Sequence, residues 1–339
     1  MLEVTLKNSI TLKNSITLGN ICEFEIHPHR DGIRWRAFIV QENILYLKPL
    51  VDWNTGNSLY FVPQSPGSYI LAIQWHGADE ETIEWARYPF NVSINKAFDQ
   101  TPQKITLAKD LQFWVPNEWE AMMLSKYEPK VVDALRRTVL SGWVAYDVGA
   151  NLGFYSVLLG HQVGPKGGIY SFEANPVCVE YLRSNLVLNQ VANCEILPCA
   201  LVDNREEVKF TINYGTSAVG LTQRSAFYES KVGHEVNVQG YPLDELVETF
   251  NLRKPDLIKI DIEGAEAFAV AGMLRTLGKY RPLILLELHG RSAAVQTLPQ
   301  LDQVGYRYND FSKKKEYPNG QEFLRVFPDT VAQILCLPK

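Results

Sequence analysis

From residue 143 onward the chain alternates apolar runs with helix-patterned stretches: WVAYDVG, a helix, GIYSFEA, a helix from Pro176, CEILPCALV, DLIKIDI, a helix, PLILLEL and another helix. Runs that are apolar on both faces belong to strands buried on both sides, and the intervening helices supply the cover. The predicted architecture is therefore a doubly wound α/β domain with a mostly parallel sheet.

The first hundred residues read differently. Short alternating or aromatic runs (ICEFEI, RAFIV, LYFV, SYILAIQW, YPFNVSI) are separated by the turn-like HPHRDG, DWNTGN and PQSPG, which predicts a small β-sandwich-like domain. With 339 residues and 46% hydrophobic content there is enough chain for two cores. The expected division is a β-rich domain over 1–100 and the α/β domain over 105–339, joined by a Pro- and Gln-containing stretch at 101–104. Residues 117–140 read as helical. LKNSIT occurs twice in succession, at 6–11 and 12–17, and the even period places Leu6, Ile10, Leu12, Ile16 and Leu18 on one face of a single extended strand. Trp53, Tyr60, Trp75 and Trp85 suit the core of a small β-domain, or a sugar-stacking platform.

Composition narrows the partners. A net charge of −5, with only Lys313 to Lys315 as a dense cationic run, gives no basic field, and no nucleic acid is expected. The cysteines Cys22, Cys178, Cys194, Cys199 and Cys336 are odd in number and lack metal-ligand spacing. They fit a reducing compartment. No apolar stretch reaches the roughly 18–20 residues that span a bilayer, and the polar N-terminus does not resemble a secretory signal. The expectation is a cytoplasmic protein with no membrane span.

The chemistry concentrates at strand ends. VAYDVG runs through Gly149-Ala150-Asn151-Leu152-Gly153 into a helix, a strand–turn–helix of the kind that binds cofactors. It lacks the three-glycine spacing that closes a backbone on a pyrophosphate, so a nucleoside ligand without phosphates is expected. Gly149 and Gly153 would let the backbone approach it, and Asp147 with the free helix amides would hold the two ends of a methionine moiety. Glu173, ending YSFE about twenty residues on, is placed to accept from both ribose hydroxyls. Asp203, following a third strand, is a candidate for an adenine amine or a plain turn residue.

In DLIKIDIEGAE the charges Lys259, Asp261 and Glu263 share one parity and Ile258, Ile260 and Ile262 the other, so the charges align toward the carboxyl end of a strand that should be apolar. Glu287 and His289 repeat the pattern in PLILLELH. His289 or Asp261 is the candidate base. Asp261, Glu263, Glu287 and His289 also look like an oxygen-rich cation site, but no motif fixes ligand spacing, and no metal is assigned. The polar stretch 213–234 is a lid or acceptor loop, or an ordinary surface hairpin.

Taken in order, YEPKVVDALR, YDVGANLGFYSVLLGHQVGPKG, IYSFEANP, YPLDELV, DLIKIDIEGAE, LLELH and the closing ILCLP resemble the FkbM-type methyltransferases, class I enzymes that use S-adenosylmethionine. The resemblance spans roughly residues 105–338. It implies O-methylation of a hydroxyl on a sugar, glycolipid or natural product. It further implies that Asp147, Gly149, Asn151, Gly153 and Glu173 contact the cofactor, and that Asp261, Glu263 and Glu266 lie near the transferred methyl. It says nothing of the first hundred residues, which could present the acceptor or assemble a homo-oligomer. Two readings compete. A nicotinamide-dependent oxidoreductase would share the sheet and the ribose acid but needs the missing glycine fingerprint, and a non-catalytic carbohydrate-binding protein would leave the charged strand ends without a task.

Overall fold

The computed structural model describes strand backbones within residues 3–93, and then residues 102–107, 111–116, 121, 124, 128–212, 234–310, 313, 315–327 and 331–339. The chain divides into two compact units, one of residues 1–103 with 116–118, the other of 104–115 with 119–339.

The first unit contains β1 (Glu3–Leu6), β2 (Ser15–Thr17), β3 (Cys22–His27), β4 (Trp35–Gln41), β5 (Val51–Asn54), β6 (Ser58–Phe61), β7 (Gly67–His76) and β8 (Ile83–Ser93). They form a sheet of order β1-β3-β6 and a sheet of order β2-β8-β7-β4-β5. Two sequence expectations are corrected. The LKNSIT duplication does not make one strand: β1 ends in the first copy and pairs antiparallel with β3, while β2 lies in the second and pairs parallel with β8. Strand pairing follows the available partner more than the local sequence. Asp52 and Trp53, read as opening a turn, belong to β5, which runs to Asn54. The side chains of Trp53, Tyr60, Trp75 and Trp85 lie outside the described residues, as do residues 7–14 of the duplication and 213–233 of the candidate lid.

In the second unit β9 (Gln103–Thr106) and β10 (Gln112–Val115) make a small antechamber hairpin before α1 (Pro129–Thr138). Of the helical expectation for 117–140, the described residues show helix at Ala121, at Leu124 and in α1, with a break at Glu128, which takes a left-handed φ of 40° ahead of Pro129, since a residue before proline avoids the helical region. There follow β11 (Val144–Val148), α2 (Phe154–Val163), β12 (Gly168–Phe172), α3 (Pro176–Leu188) and β13 (Cys194–Leu197). Next come β14 (Ala200–Leu201), β15 (Glu206–Ile212), β16 (His234–Tyr241) and α4 (Leu243–Thr249), then β17 (Leu257–Ile260), α5 (Glu266–Ala271), α6 (Leu274–Tyr280) and β18 (Leu283–His289). The chain closes with α7 (Gly290–Gln303), β19 (Tyr306–Asp310), β20 (Lys315–Tyr317), α8 (Gly320–Leu324) and β21 (Val331–Pro338).

The main sheet has eight strands in the order β13-β12-β11-β17-β18-β21-β19-β20. The first five are mutually parallel and the last three antiparallel. Successive residues of each parallel strand point to opposite faces. Val144, Tyr146, Ile258, Ile260, Ile284 and Leu286 join a core with α4 to α7, and Ala145, Ile169, Leu257 and Leu285 join a second core with α1 and α2. Helices thus cover both faces, and the architecture is doubly wound and mostly parallel.

On the α1/α2 face β11, β12, β17 and β18 each begin apolar and end polar: Ala145 then Asp147, Ile169 then Ser171, Leu257 then Lys259, Leu285 then Glu287 and His289. The connection reverses direction between β11 and β17, the point at which such sheets open a crevice. There the Gly149 turn meets the end of β17 so closely that a Cβ on Gly149, at φ +76°, would stand 1.9 Å from the Asp261 carbonyl oxygen. Gly149→Ala is expected to cost about 3 kcal/mol, from left-handed strain and overpacking against backbone; a urea midpoint equal to that of the parent would contradict this.

Candidate functional site

The turn after β11 passes through three left-handed residues, Gly149 (φ 76°), Asn151 (φ 51°) and Gly153 (φ 91°). Its two glycines make room for protein: Gly149 faces Asp261, and a Cβ on Gly153 would lie 2.6 Å from Leu182 Cδ1. Glu173 sits beside this turn just past β12, and its buried carboxylate accepts the Asn151 N–H on Oε2 and the Asn175 N–H on Oε1, each at 2.7 Å. Burial pushes the acid up to about 7, against the pull of the two amides.

Asp147 is fully buried, its Oδ2 accepting from the Ser156 hydroxyl at 2.6 Å. Its Oδ1 has no hydrogen-bond partner among the described residues and lies 3.5 Å from Lys259 Nζ. Lys259 also donates to the Gly149 carbonyl at 3.0 Å, stands 3.3 Å from Asp261 Oδ2 and lies over the Tyr155 ring. Burial alone would lower its pKa, but the Asp261 and Asp147 carboxylates outweigh that and hold it above the ordinary lysine range.

Asp261, Glu263, Glu287 and His289 converge as their shared parity predicts. His289 Nδ1 and Glu266 Oε1 are 2.8 Å apart, which turns Nε2 toward Glu263 at 3.4 Å, Glu287 at 3.6 Å and Asp261 at 3.7 Å. Burial would lower the imidazole, yet Glu266 and the facing carboxylates raise it to about 9. At neutral pH His289 is therefore a cation among acids. Burial also pushes Glu287 up to about 8, reinforced by Asp261 and Glu128. Glu263 is pushed up to about 7, its nearness to His289 opposing the effect of burial. Glu263 has a φ of 54°, a conformation that bulky residues adopt at a cost.

Two further groups were not legible as site residues. Gln333, on β21, donates from Nε2 to both Glu128 and Glu287, and the Tyr155 hydroxyl donates to Glu128. These side chains, with Lys259 and Asp261, line an opening at the rim of the sheet. Glu128 carried one signal, its place before Pro129; Gln333 carried none. Asp203 does not follow a strand of the main sheet. The third strand of the main sheet ends at Leu197 before Pro198, which cannot continue the ladder, and Ala200–Leu201 pairs with β16 in a separate sheet. Asp203 accepts from Asn204 Nδ2 at 3.0 Å just beyond that strand.

Residues 147–308 match the model of the methyltransferase FkbM domain. Over this stretch the chain is similar to the FkbM methyltransferases. The chain is 28% identical over 153 residues to methyltransferase sdnD of Sordaria araneosa, covering 38% of this chain and 59% of that one. It is 26% identical over 156 residues to the hexuronic acid methyltransferase AglP of Haloferax volcanii, covering 43% and 56%. The chain thus spans less than two thirds of either relative. A crystal structure of methyltransferase FkbM from Methylobacillus flagellatus aligns over 58% of this chain and 44% of its own, at 15% identity and a TM-score of 0.39. S-adenosylmethionine is the cofactor of the FkbM domain.

The residues around the switch point suit that cofactor. Among the described residues Asp147, Glu173, Asp261, Glu263 and Glu287 face Lys259 and His289 as cations, and Glu173, Glu263 and Glu287, raised to about 7 to 8, would ionise further beside a sulfonium and an ammonium but not beside a diphosphate. Asp261, Glu287 and His289 could also hold a divalent cation, since their ligand atoms lie within 4.8 Å of one another. No helix among the described residues is long and apolar enough to cross a membrane.

Proposed function

We propose that the protein moves a methyl group from S-adenosylmethionine to a hydroxyl oxygen of a sugar, glycolipid or related natural product. The observation that carries this reading is the acid-rich rim at the switch point, joined to a turn without a pyrophosphate fingerprint. The hexuronic acid methyltransferase among the relatives supports a sugar acceptor.

Glu173 would hold the ribose and Asn151 the turn beside it, with Gly149 and Gly153 giving that turn its shape. Asp147 acts through Lys259, which ties the turn to Asp261. When bound, the cofactor supplies a methyl already activated on sulfur, so the protein's own task is alignment and proton removal. Glu263 is the best-placed base: it is the most solvent-open of the three carboxylates around His289 Nε2 and poised near neutrality. His289, protonated and clamped by Glu266, steadies the charge that Glu263 and Asp261 carry.

Methyl-labelled S-adenosylmethionine, incubated with a panel of saccharides, glycolipids and polyketide alcohols, tests the reading. Label should move to a hydroxyl oxygen, and for the acceptor so found kcat/KM should rise with pH through about 7 as Glu263 loses its proton. Glu263→Gln should lose that limb and about 10²- to 10⁴-fold in rate. Label transferred to nitrogen or carbon, or to nothing in the panel, would count against O-methylation.

A further inference from the structure

Helix α3 carries two asparagines, Asn185 and Asn189, whose carboxamides both grip strand β10. Asn189 Oδ1 accepts the Gln112 N–H at 3.0 Å and its Nδ2 donates to the Gln112 carbonyl at 2.6 Å. Asn185 repeats this two residues along, accepting the Trp114 N–H at 2.7 Å and donating to the Trp114 carbonyl at 3.1 Å. The spacing works because four residues of helix rise about 6.0 Å and two residues of strand about 6.6 Å. The two amides replace a neighbouring strand.

They differ in their remaining hydrogen. Asn189 spends it on its own helix, donating to the Asn185 carbonyl at 2.8 Å. Asn185, completely buried, donates it at 2.7 Å to the carbonyl of Leu152, inside the turn between Gly149 and Gly153. Between the gripped residues Phe113 is fully buried and packs its ring 5.9 Å from that of Phe154, the first residue of α2. Strand β10 therefore touches the turn after β11 twice, through a shared amide and through a ring pair.

We propose that Asn185 is a positioning residue for S-adenosylmethionine binding, and that β10 is a strap whose docking on α3 and the occupancy of the cofactor turn reinforce one another. This rests on the cofactor reading above. The coupling is carried by one donor: the Asn185 carboxamide holds the Leu152 carbonyl and Trp114 at once, and a turn fixed before binding has less freedom left to lose.

Asn189 supplies the control, since removing it loosens the strap at Gln112 but leaves the Leu152 contact intact. Calorimetry on the full chain with S-adenosylhomocysteine as probe should show Kd raised tenfold or more by Asn185→Ala and less than threefold by Asn189→Ala. Asn185→Asp keeps the volume and the acceptor for Trp114 but loses the donor, and it should behave like Asn185→Ala. Hydrogen exchange gives a readout that a merely structural role would not move. The probe should slow exchange at the Gln112 and Trp114 amides in the parent and not at Trp114 in Asn185→Asp. Equal effects of the Asn185 and Asn189 variants on Kd, or no response of these amides to the probe in a parent that binds it, would overturn the proposal. A parent that binds neither the probe nor S-adenosylmethionine would overturn the cofactor reading along with it.

Discussion

Glu173→Ala is expected to weaken S-adenosylmethionine binding by about two orders of magnitude. The carboxylate has two tasks at once. It fixes the Asn151 and Asn175 amides, each at 2.7 Å, and it is the acceptor proposed for the ribose hydroxyls. Charge-assisted bonds contribute roughly 1.5–3 kcal/mol each, so losing the ligand's share alone removes about 3 kcal/mol, or about a hundredfold. Calorimetry on the variant, with circular dichroism to confirm folding, measures this; a Kd within threefold of the parent would remove Glu173 from the site. The pH dependence carries a definite sign. The folded acid titrates near 7 against 4.5 for an unperturbed glutamate. Its contribution to stability is thus fully present below pH 4.5 and lost as pH rises through 7. Cofactor affinity runs the other way, rising through the same window as the ionised acceptor forms.

Lys259→Met is expected to cost about 3–5 kcal/mol of stability, because it leaves Asp147 and Asp261 as buried acids without their counter-charge. The loss should be smallest at low pH, where those acids can be protonated, so chemical denaturation at two pH values tests the electrostatic origin. Lys259→Arg keeps the charge but not the compact ammonium that fits between Gly149 and two carboxylates, and it should recover only part of the loss. A methionine variant as stable as the parent at neutral pH would mean that the cluster shares its protons well enough to do without a cation.

Period and parity made most of the α/β unit legible. Apolar runs alternating with helix patterns gave the parallel sheet, and charges of one parity in DLIKIDIEG and LLELH gave the convergence of Asp261, Glu263, Glu287 and His289. These are properties of single strands, and a strand's own sequence records them. What stayed hidden depends on register between distant elements. Gln333 reaches Glu287 only because β21 runs antiparallel beside β18, and Asn185 matters only because β10 lies across α3. Gly149 was legible as necessary, but its reason was not: the missing side chain makes space for the Asp261 carbonyl. That Asp203 follows a strand of a separate sheet was hidden too, because Pro198 ends the third strand and the chain pairs next with β16.

The passage from apolar to polar along β11, β12, β17 and β18 on the α1/α2 face separates two kinds of change in this molecule. Substitutions near Ala145, Ile169, Leu257 and Leu285 disturb a dry floor and show themselves as lost stability, whereas those two to four residues later alter ligand and acid–base behaviour above a floor that still holds. A lineage could therefore exchange acceptors by rewriting the rim alone, drawing each time on the same foundation.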